Sequence, residues 1–254
     1  MSTKNKIALV TGGSRGLGKD MAISIAKKGL DVIITYNTQK DEALAVVAEI
    51  ENLGQKAVAL QLNAGDINSF DSFLQQVTQQ LHDTFGTDKF DYLINNAGVG
   101  IAKPFLDFTI DEFDTLMNIH FKGVFFLTQK AVPMLNDGGG IINISTGLTR
   151  FTAPGSAAYA SMKNAVESLT RYLAKELGVR NINVNTVAPG AIATDFGAAT
   201  VKNNAQVQEH IKAITALARI GQPEDIGGVV AFLCTEDARW ITAQRIEVSG
   251  GMYV

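Results

Sequence analysis

Short runs of β-branched residues alternate along the whole chain with longer segments whose apolar residues recur at helical spacing. The strand runs are "KIALVTGG", "DVIITYN", "KAVALQLN", "FDYLINNAG", "GGIINIST", "NINVNTVAPG" and "QRIEVSGG". Parallel neighbours need a long crossover, and a helix is the usual one. The alternation therefore predicts an α/β fold: a doubly wound parallel sheet of about seven strands with helices on both faces. Thr109-Ile-Asp-Glu112 reads as a capping box opening a helix through "FDTLMNIHFKGVFFLTQKAVPML", and Pro223 begins the last helix. No repeat or linker interrupts the pattern, so residues 1–254 are expected to form one domain. The only long irregular segment, about 191–221, is a candidate lid.

Hydrophobic residues make up 46% and charged residues 19%, enough for a sizeable core. The net charge of −3 excludes the concentrated positive field that a nucleic acid or an anionic membrane needs. Cys234 is the only cysteine, so no internal disulfide can form, and "VVAFLCTED" reads as a buried helix face. These features suit a reducing, cytoplasmic setting. An apolar run of only four residues precedes the first glycines, too short for a signal peptide, and no apolar run is long enough to span a membrane. No Cys or His pair has ligand spacing, so no metal is expected. No G-x-S-x-G elbow of a serine hydrolase appears.

"TGGSRGLG" joins the first strand to the first helix. Gly12, Gly16 and Gly18 permit a tight turn and let the backbone approach a pyrophosphate, with Ser14, Arg15 and Leu17 between them. The helix start offers unpaired N–H groups to phosphate oxygens. Alone, such a turn is weak evidence. Its place as the first βα turn of a doubly wound pattern makes it a dinucleotide (Rossmann) signature.

"TGGSRGLG", "NNAG" at Asn95–Gly98, Tyr159-Ala-Ser-Met-Lys163 and Pro189-Gly190 occur in the order and spacing of the short-chain dehydrogenase/reductase family, which the whole chain resembles. The resemblance implies a nicotinamide-dependent enzyme interconverting C=O and CH–OH groups. It places Asn63 and Ala64 by the adenine, Asn96, Ala97 and Gly98 along the ribose, and Pro189, Gly190, Ile192 and Thr194 by the carboxamide. Asn63 stands where the family often has Asp.

In a dinucleotide fold, an acid at the end of the second strand would bind the ribose 2′-hydroxyl of NAD. This strand ends in Tyr36, Asn37 and Thr38, with Arg15 in the glycine turn and Lys40 close in sequence. A 2′-phosphate needs cations rather than a carboxylate, so NADP(H) is favoured over NAD(H).

Tyr159 and Lys163, four apart on a helix, share a face. A phenol titrates near pH 10, too high for ready proton transfer at neutrality, and a neighbouring ammonium favours its ionised form. The family gives Tyr the proton transfer to the carbonyl oxygen. It gives Lys the tuning of that Tyr and the nicotinamide ribose. Counting back by the family's spacing selects Thr146 as the substrate-orienting hydroxyl, in place of the usual Ser. Ser145 is the alternative if the loop bulges. The family's Asn in the preceding helix is replaced by His120. Asn118, two residues away, lies about 200° around a helix and cannot substitute. His120 preserves the backbone carbonyl of that position and could add a titrating group.

The reading is an NADPH-dependent carbonyl reductase acting on a small-molecule ketone or aldehyde. Gly100, Ile101, Phe105, Phe151 and Phe196 are candidates to line an apolar pocket. The family includes 3-oxoacyl-carrier-protein reductases, for which Lys130 and Arg171 would be docking cations. An enoyl reductase would space its Tyr and Lys further apart. An NAD-dependent alcohol or sugar dehydrogenase, and a non-catalytic cofactor-sensing protein, remain alternatives. The family commonly assembles as tetramers, so a homotetramer is expected.

Overall fold

The computed structural model describes residues 5–197 and 199–254. Seven strands form one parallel sheet in the order β3-β2-β1-β4-β5-β6-β7. They are β1 (Ile7–Val10), β2 (Asp31–Tyr36), β3 (Ala57–Gln61), β4 (Phe90–Asn95), β5 (Leu135–Ile144), β6 (Asn183–Pro189) and β7 (Arg245–Val248). The strands are apolar on both sides because both faces are covered. On one face pack α1 (Gly16–Lys27), α2 (Lys40–Asn52) and α9 (Pro223–Leu233). On the other pack α3 (Phe70–Gln80), α5 (Gly123–Ala131) and α6 (Ala157–Leu177). Phe70, Phe73 and Phe90 are fully buried on this second side, each stabilising the fold by about 1.5–3 kcal/mol.

The strand order reverses between β1 and β4. In such sheets the crevice at the carboxyl ends of these strands is where ligands bind. A buried polar ladder fixes what borders it. Asn95, ending β4, donates to Asn143 Oδ1 on β5 (2.8 Å) and to Thr128 Oγ1 on α5 (2.9 Å). Asn143 donates to Thr170 Oγ1 on α6 (2.9 Å), and Thr186 of β6 also reaches Thr170 (2.9 Å). Leaving such buried groups unpaired would cost about 1–3 kcal/mol each, so α6 is held in one register against the sheet.

The expected helices form, with two interruptions. The helix capped by Thr109 and Glu112 runs as α4 (Ile110–Met117), passes through a π-turn (Asn118–Lys122) and continues as α5. Gly123 lies against the loop after β3, where a Cβ would stand 2.1 Å from the Ala64 carbonyl. The helix after β3 also ends in a π-turn, Leu81–Phe85. Segment 191–221 carries α7 (Thr200–Asn203) and α8 (Ala205–Ala213). Its two ends are pinned together: Ala193 donates to the Gly221 carbonyl (2.9 Å), and Gly221 to the Ala191 carbonyl (3.1 Å). Among the described residues, no helix is long and apolar enough to cross a membrane.

Candidate active site

The glycine turn is built for close approach. Gly12 and Gly16 have φ of 66° and 56°, and a Cβ on Gly18 would lie 2.0 Å from the Gly12 carbonyl oxygen. Thr35, inside β2, holds the turn through Gly12 N–H to Oγ1 (3.0 Å) and Gly13 N–H to its carbonyl (2.8 Å). Helix α1 has no side-chain cap and no acid in its first turn. Its N–H groups and positive dipole end therefore suit an anion. Ser14 is buried in the turn, Leu17 packs against the core, and Arg15 is exposed. Thr194 faces Gly16, with its Cβ 3.7 Å from where a Gly16 Cβ would stand. Pro189 ends β6, and Gly190 leads on to Ile192, which pairs with Gly221. At the end of β2, Tyr36 is partly buried while Asn37, Thr38 and Lys40 are exposed. No carboxylate follows Tyr36 there. This cradle fits a dinucleotide with a 2′-phosphate.

Asn96 and Ala97, expected along the ribose, are tied to the end of β1 and the glycine turn. The Asn96 side chain donates to the Thr11 carbonyl (2.8 Å) and the Gly12 carbonyl (3.2 Å), and the Ala97 N–H to Thr11 Oγ1 (3.0 Å). These residues brace the glycine turn, and Gly98 lies against the His120 ring. Exposed Asn63 accepts from Gly65 N–H (3.0 Å), which uses one lone pair of its oxygen and leaves the other. Ala64 contacts the helix at Gly123.

Tyr159 and Lys163 share the inner face of α6. The Tyr159 ring meets His120 edge-on (5.0 Å between centroids, 88°) and Phe196 at a tilt (5.8 Å). Lys163 is buried at 4% exposure. Its Nζ donates to the Ile144 carbonyl at the end of β5 (2.7 Å) and stands 5.8 Å from the Tyr159 ring centroid. An ammonium has three donors. With one used by the described residues, the others are available to a ribose.

The electrostatics correct one expectation. Burial pushes the Tyr159 phenol up from its ordinary value. The same burial lowers Lys163 to about 8. The isolated protein therefore presents a neutral phenol, the form that can donate a proton.

His120 is also corrected. It is 1% exposed, and burial, followed by the charge of Lys163, lowers its pKa to about 3. It is neutral at physiological pH and adds no titrating group there. Its Nε2 lies 2.7 Å from the Val99 carbonyl, which can only accept, and 3.3 Å from the Val99 N–H; the shorter contact favours the proton on Nε2. Nδ1 is then a buried acceptor without a protein partner among the described residues. The π-turn carries the ring to Gly98, where a Cβ would come within 2.7 Å of it. Because His120 must lose charge to be buried, its contribution to stability is full above about pH 6.5. It fades as pH falls toward about 3, by up to about 1.4 kcal/mol per pH unit. In His120→Asn this part of the acid slope should vanish, as read by urea unfolding at about pH 7.5 and about pH 5. An unchanged slope would place the titration elsewhere.

Thr146 and Ser145 separate clearly. Ser145 is 3% exposed and its hydroxyl donates to Glu167 (2.6 Å). Thr146 is partly exposed, and its Oγ1 accepts from Leu148 N–H (3.3 Å), which leaves its own proton free. Of the expected pocket residues, Phe196 covers Tyr159, and Gly100 nearly touches Gly197 (a Cβ would meet its Cα at 2.9 Å). Ile101 is partly buried, and Phe151 packs on Tyr253 (4.8 Å). Phe105 is 79% exposed and stands apart from this apolar set. Sequence reading missed Thr11, Thr35, Glu167 and Arg245. Thr11 and Thr35 lie inside ordinary strand runs, and Glu167 lies one turn beyond Lys163, a spacing that would have placed it on the same face.

A family model described as enoyl-(acyl carrier protein) reductase matches residues 12–253. A 3-oxoacyl-[acyl-carrier-protein] reductase of Staphylococcus aureus is 38% identical over 251 residues, covering 98% of each chain. The chain belongs to the short-chain dehydrogenase/reductase family. Two solved structures of ketoreductases are also similar. The angucycline C-6 ketoreductase LanV, with bound NADP, has a TM-score of 0.93 at 35% identity, covering 98% of this chain and 95% of its own. LugOII, described as a promiscuous reductase catalysing keto-reduction at C1 in lugdunomycin biosynthesis, has a TM-score of 0.93 at 35% identity over the whole of both chains. As a family member, the chain is an oxidoreductase acting between C=O and CH–OH groups.

Proposed function

We propose that the chain reduces a ketone or aldehyde to an alcohol with NADPH. Thr146 holds the carbonyl oxygen, Tyr159 gives it a proton and Lys163 stabilises the charge left behind. The observation that carries this reading is the meeting of Tyr159, buried Lys163 and the glycine cradle at the sheet's switch point. The nicotinamide, when bound, supplies the hydride. Arg15, Lys40 and the carboxylate-free end of β2 support the phosphorylated cofactor, as does the NADP held by LanV. Thr146 has a free hydroxyl proton to offer the carbonyl oxygen. The phenol, kept protonated by burial, suits the reducing direction. Once it has given up its proton, the nearby ammonium lowers the cost of the phenolate.

The family model's description names enoyl reduction. The four-residue spacing of Tyr159 and Lys163, and the 3-oxoacyl and keto groups named for the similar proteins, support reduction at C=O. Lys130 already bonds Asp71 (2.6 Å), which leaves it a poor docking cation for an acidic carrier, while Arg171 is exposed. A cytoplasmic homotetramer belongs to the same proposal, supported by the exposed Phe113, Phe125 and Tyr172 on α4, α5 and α6, and by the buried free thiol of Cys234.

The function is tested by following NADPH absorbance with an activated β-keto ester, then with NADH. Turnover with NADPH and a much weaker rate with NADH are expected; no turnover, or preference for NADH, would contradict the reading. The pH profile gives a second check. Lys163 is charged below about 8, so kcat for reduction should fall as pH rises through that value. A flat profile to about pH 10, where a free lysine begins to titrate, would show that its charge is not used.

A further inference from the structure

Behind Thr146 lies a polar cluster that the proton transfer does not use. Glu167, on α6 one turn beyond Lys163, is 7% exposed. Its Oε1 receives three donors: Ser145 Oγ (2.6 Å), Thr149 Oγ1 (2.7 Å) and Arg245 Nε (2.9 Å). Ser145 and Thr149 flank Thr146 on the β5–α6 loop. The single Thr149 hydroxyl proton is shared with the Thr146 carbonyl, 2.9 Å from the same Oγ1, and Arg245 Nη2 donates to that carbonyl (3.3 Å). The loop is thus tied at the residue before Thr146, at its own carbonyl and three residues after it. The Thr146 hydroxyl proton is left out of the cluster.

The Glu167–Arg245 pair is partly buried (side chains 9% and 25% exposed), and such a pair adds little to stability when its desolvation is counted, so its presence points toward fixing a geometry. Arg245 extends the cluster to Glu247 (2.9 Å), which also binds Arg150 (2.6 Å). Arg150 in turn bonds the carbonyls of Met252 and Tyr253.

We propose that Glu167 is a positioning residue for substrate: with Arg245 and Thr149 it fixes the backbone of Thr146 so that this hydroxyl meets the substrate carbonyl. The proposal rests on the assignment of Thr146 made above. Glu167 touches neither substrate nor cofactor, so its effect should pass entirely through Thr146.

The test is a double-mutant cycle on the intact protein, measured with NADPH and an activated β-keto ester. Thr146→Val alone should lower kcat/KM at least about 10-fold, and Glu167→Ala should lower it by about 10-fold, as expected for a displaced orienting group. NADPH affinity, followed by cofactor fluorescence, should stay unchanged in both. In the Thr146→Val background, Glu167→Ala should change kcat/KM less than about 2-fold, because coupled sites are not additive. Thr149→Val leaves the ion pair intact and should show the same pattern, so the cycle can be closed even if Glu167→Ala does not fold. Effects that multiply across the cycle, or a loss of NADPH affinity, would overturn the positioning role in favour of a general structural one. Full activity in Thr146→Val would instead overturn the Thr146 assignment.

Discussion

Tyr159→Phe should lower kcat for carbonyl reduction by about 10²–10⁴-fold, the range for losing a positioned general acid. The ring keeps its contacts with His120 and Phe196 (5.0 and 5.8 Å), so fold and cofactor affinity should be unchanged. Only the hydroxyl is lost, and with it the proton destined for the carbonyl oxygen. Stopped-flow NADPH oxidation compared with NADPH fluorescence titration separates the two quantities. Equal rates in mutant and wild type would show that another group is the acid. A loss of NADPH binding would show that the phenol serves the cofactor rather than the chemistry.

Gly18→Val is the second large effect, and it acts on binding. A Cβ at this position would stand 2.0 Å from the Gly12 carbonyl oxygen and 2.6 Å from Asn96 Nδ2. Neither can yield without breaking the brace among Thr11, Gly12 and Asn96 that shapes the turn. Overpacking of this kind costs about 1–3 kcal/mol in a folded protein. The N–H groups of the turn would also move away from the phosphates. NADPH affinity should fall by at least about 100-fold, equivalent to about 2.7 kcal/mol, with a lower Tm. Isothermal titration and thermal unfolding measure the two parts. Retained nanomolar or micromolar binding at wild-type strength would mean that the pyrophosphate does not lie on this turn.

The sheet was legible in the sequence because its strands are short, mostly β-branched runs, and nearly all are followed by a helical pattern. The capping box at Thr109 and Glu112 and the proline start of α9 were legible for the same local reason. The π-turn at Asn118–Lys122 was not, because helical periodicity continues across it. At the site, the four-residue spacing placed Tyr159 and Lys163 together on α6. Their electrostatics were out of reach, since those depend on burial. Thr146 and Ser145 could be ranked from spacing. Only the Glu167 carboxylate, reached through folding, shows that Ser145 is already engaged.

The central claim is that this chain transfers hydride from NADPH to a carbonyl carbon while Tyr159 protonates the oxygen. It is tested most directly with NADPH deuterated at C4 and an activated β-keto ester, analysing the product by mass spectrometry. The account predicts an alcohol carrying deuterium on the carbinol carbon with wild type, and almost none in the same time with Tyr159→Phe. Alcohol without deuterium, or labelled alcohol formed equally fast by the mutant, would contradict it.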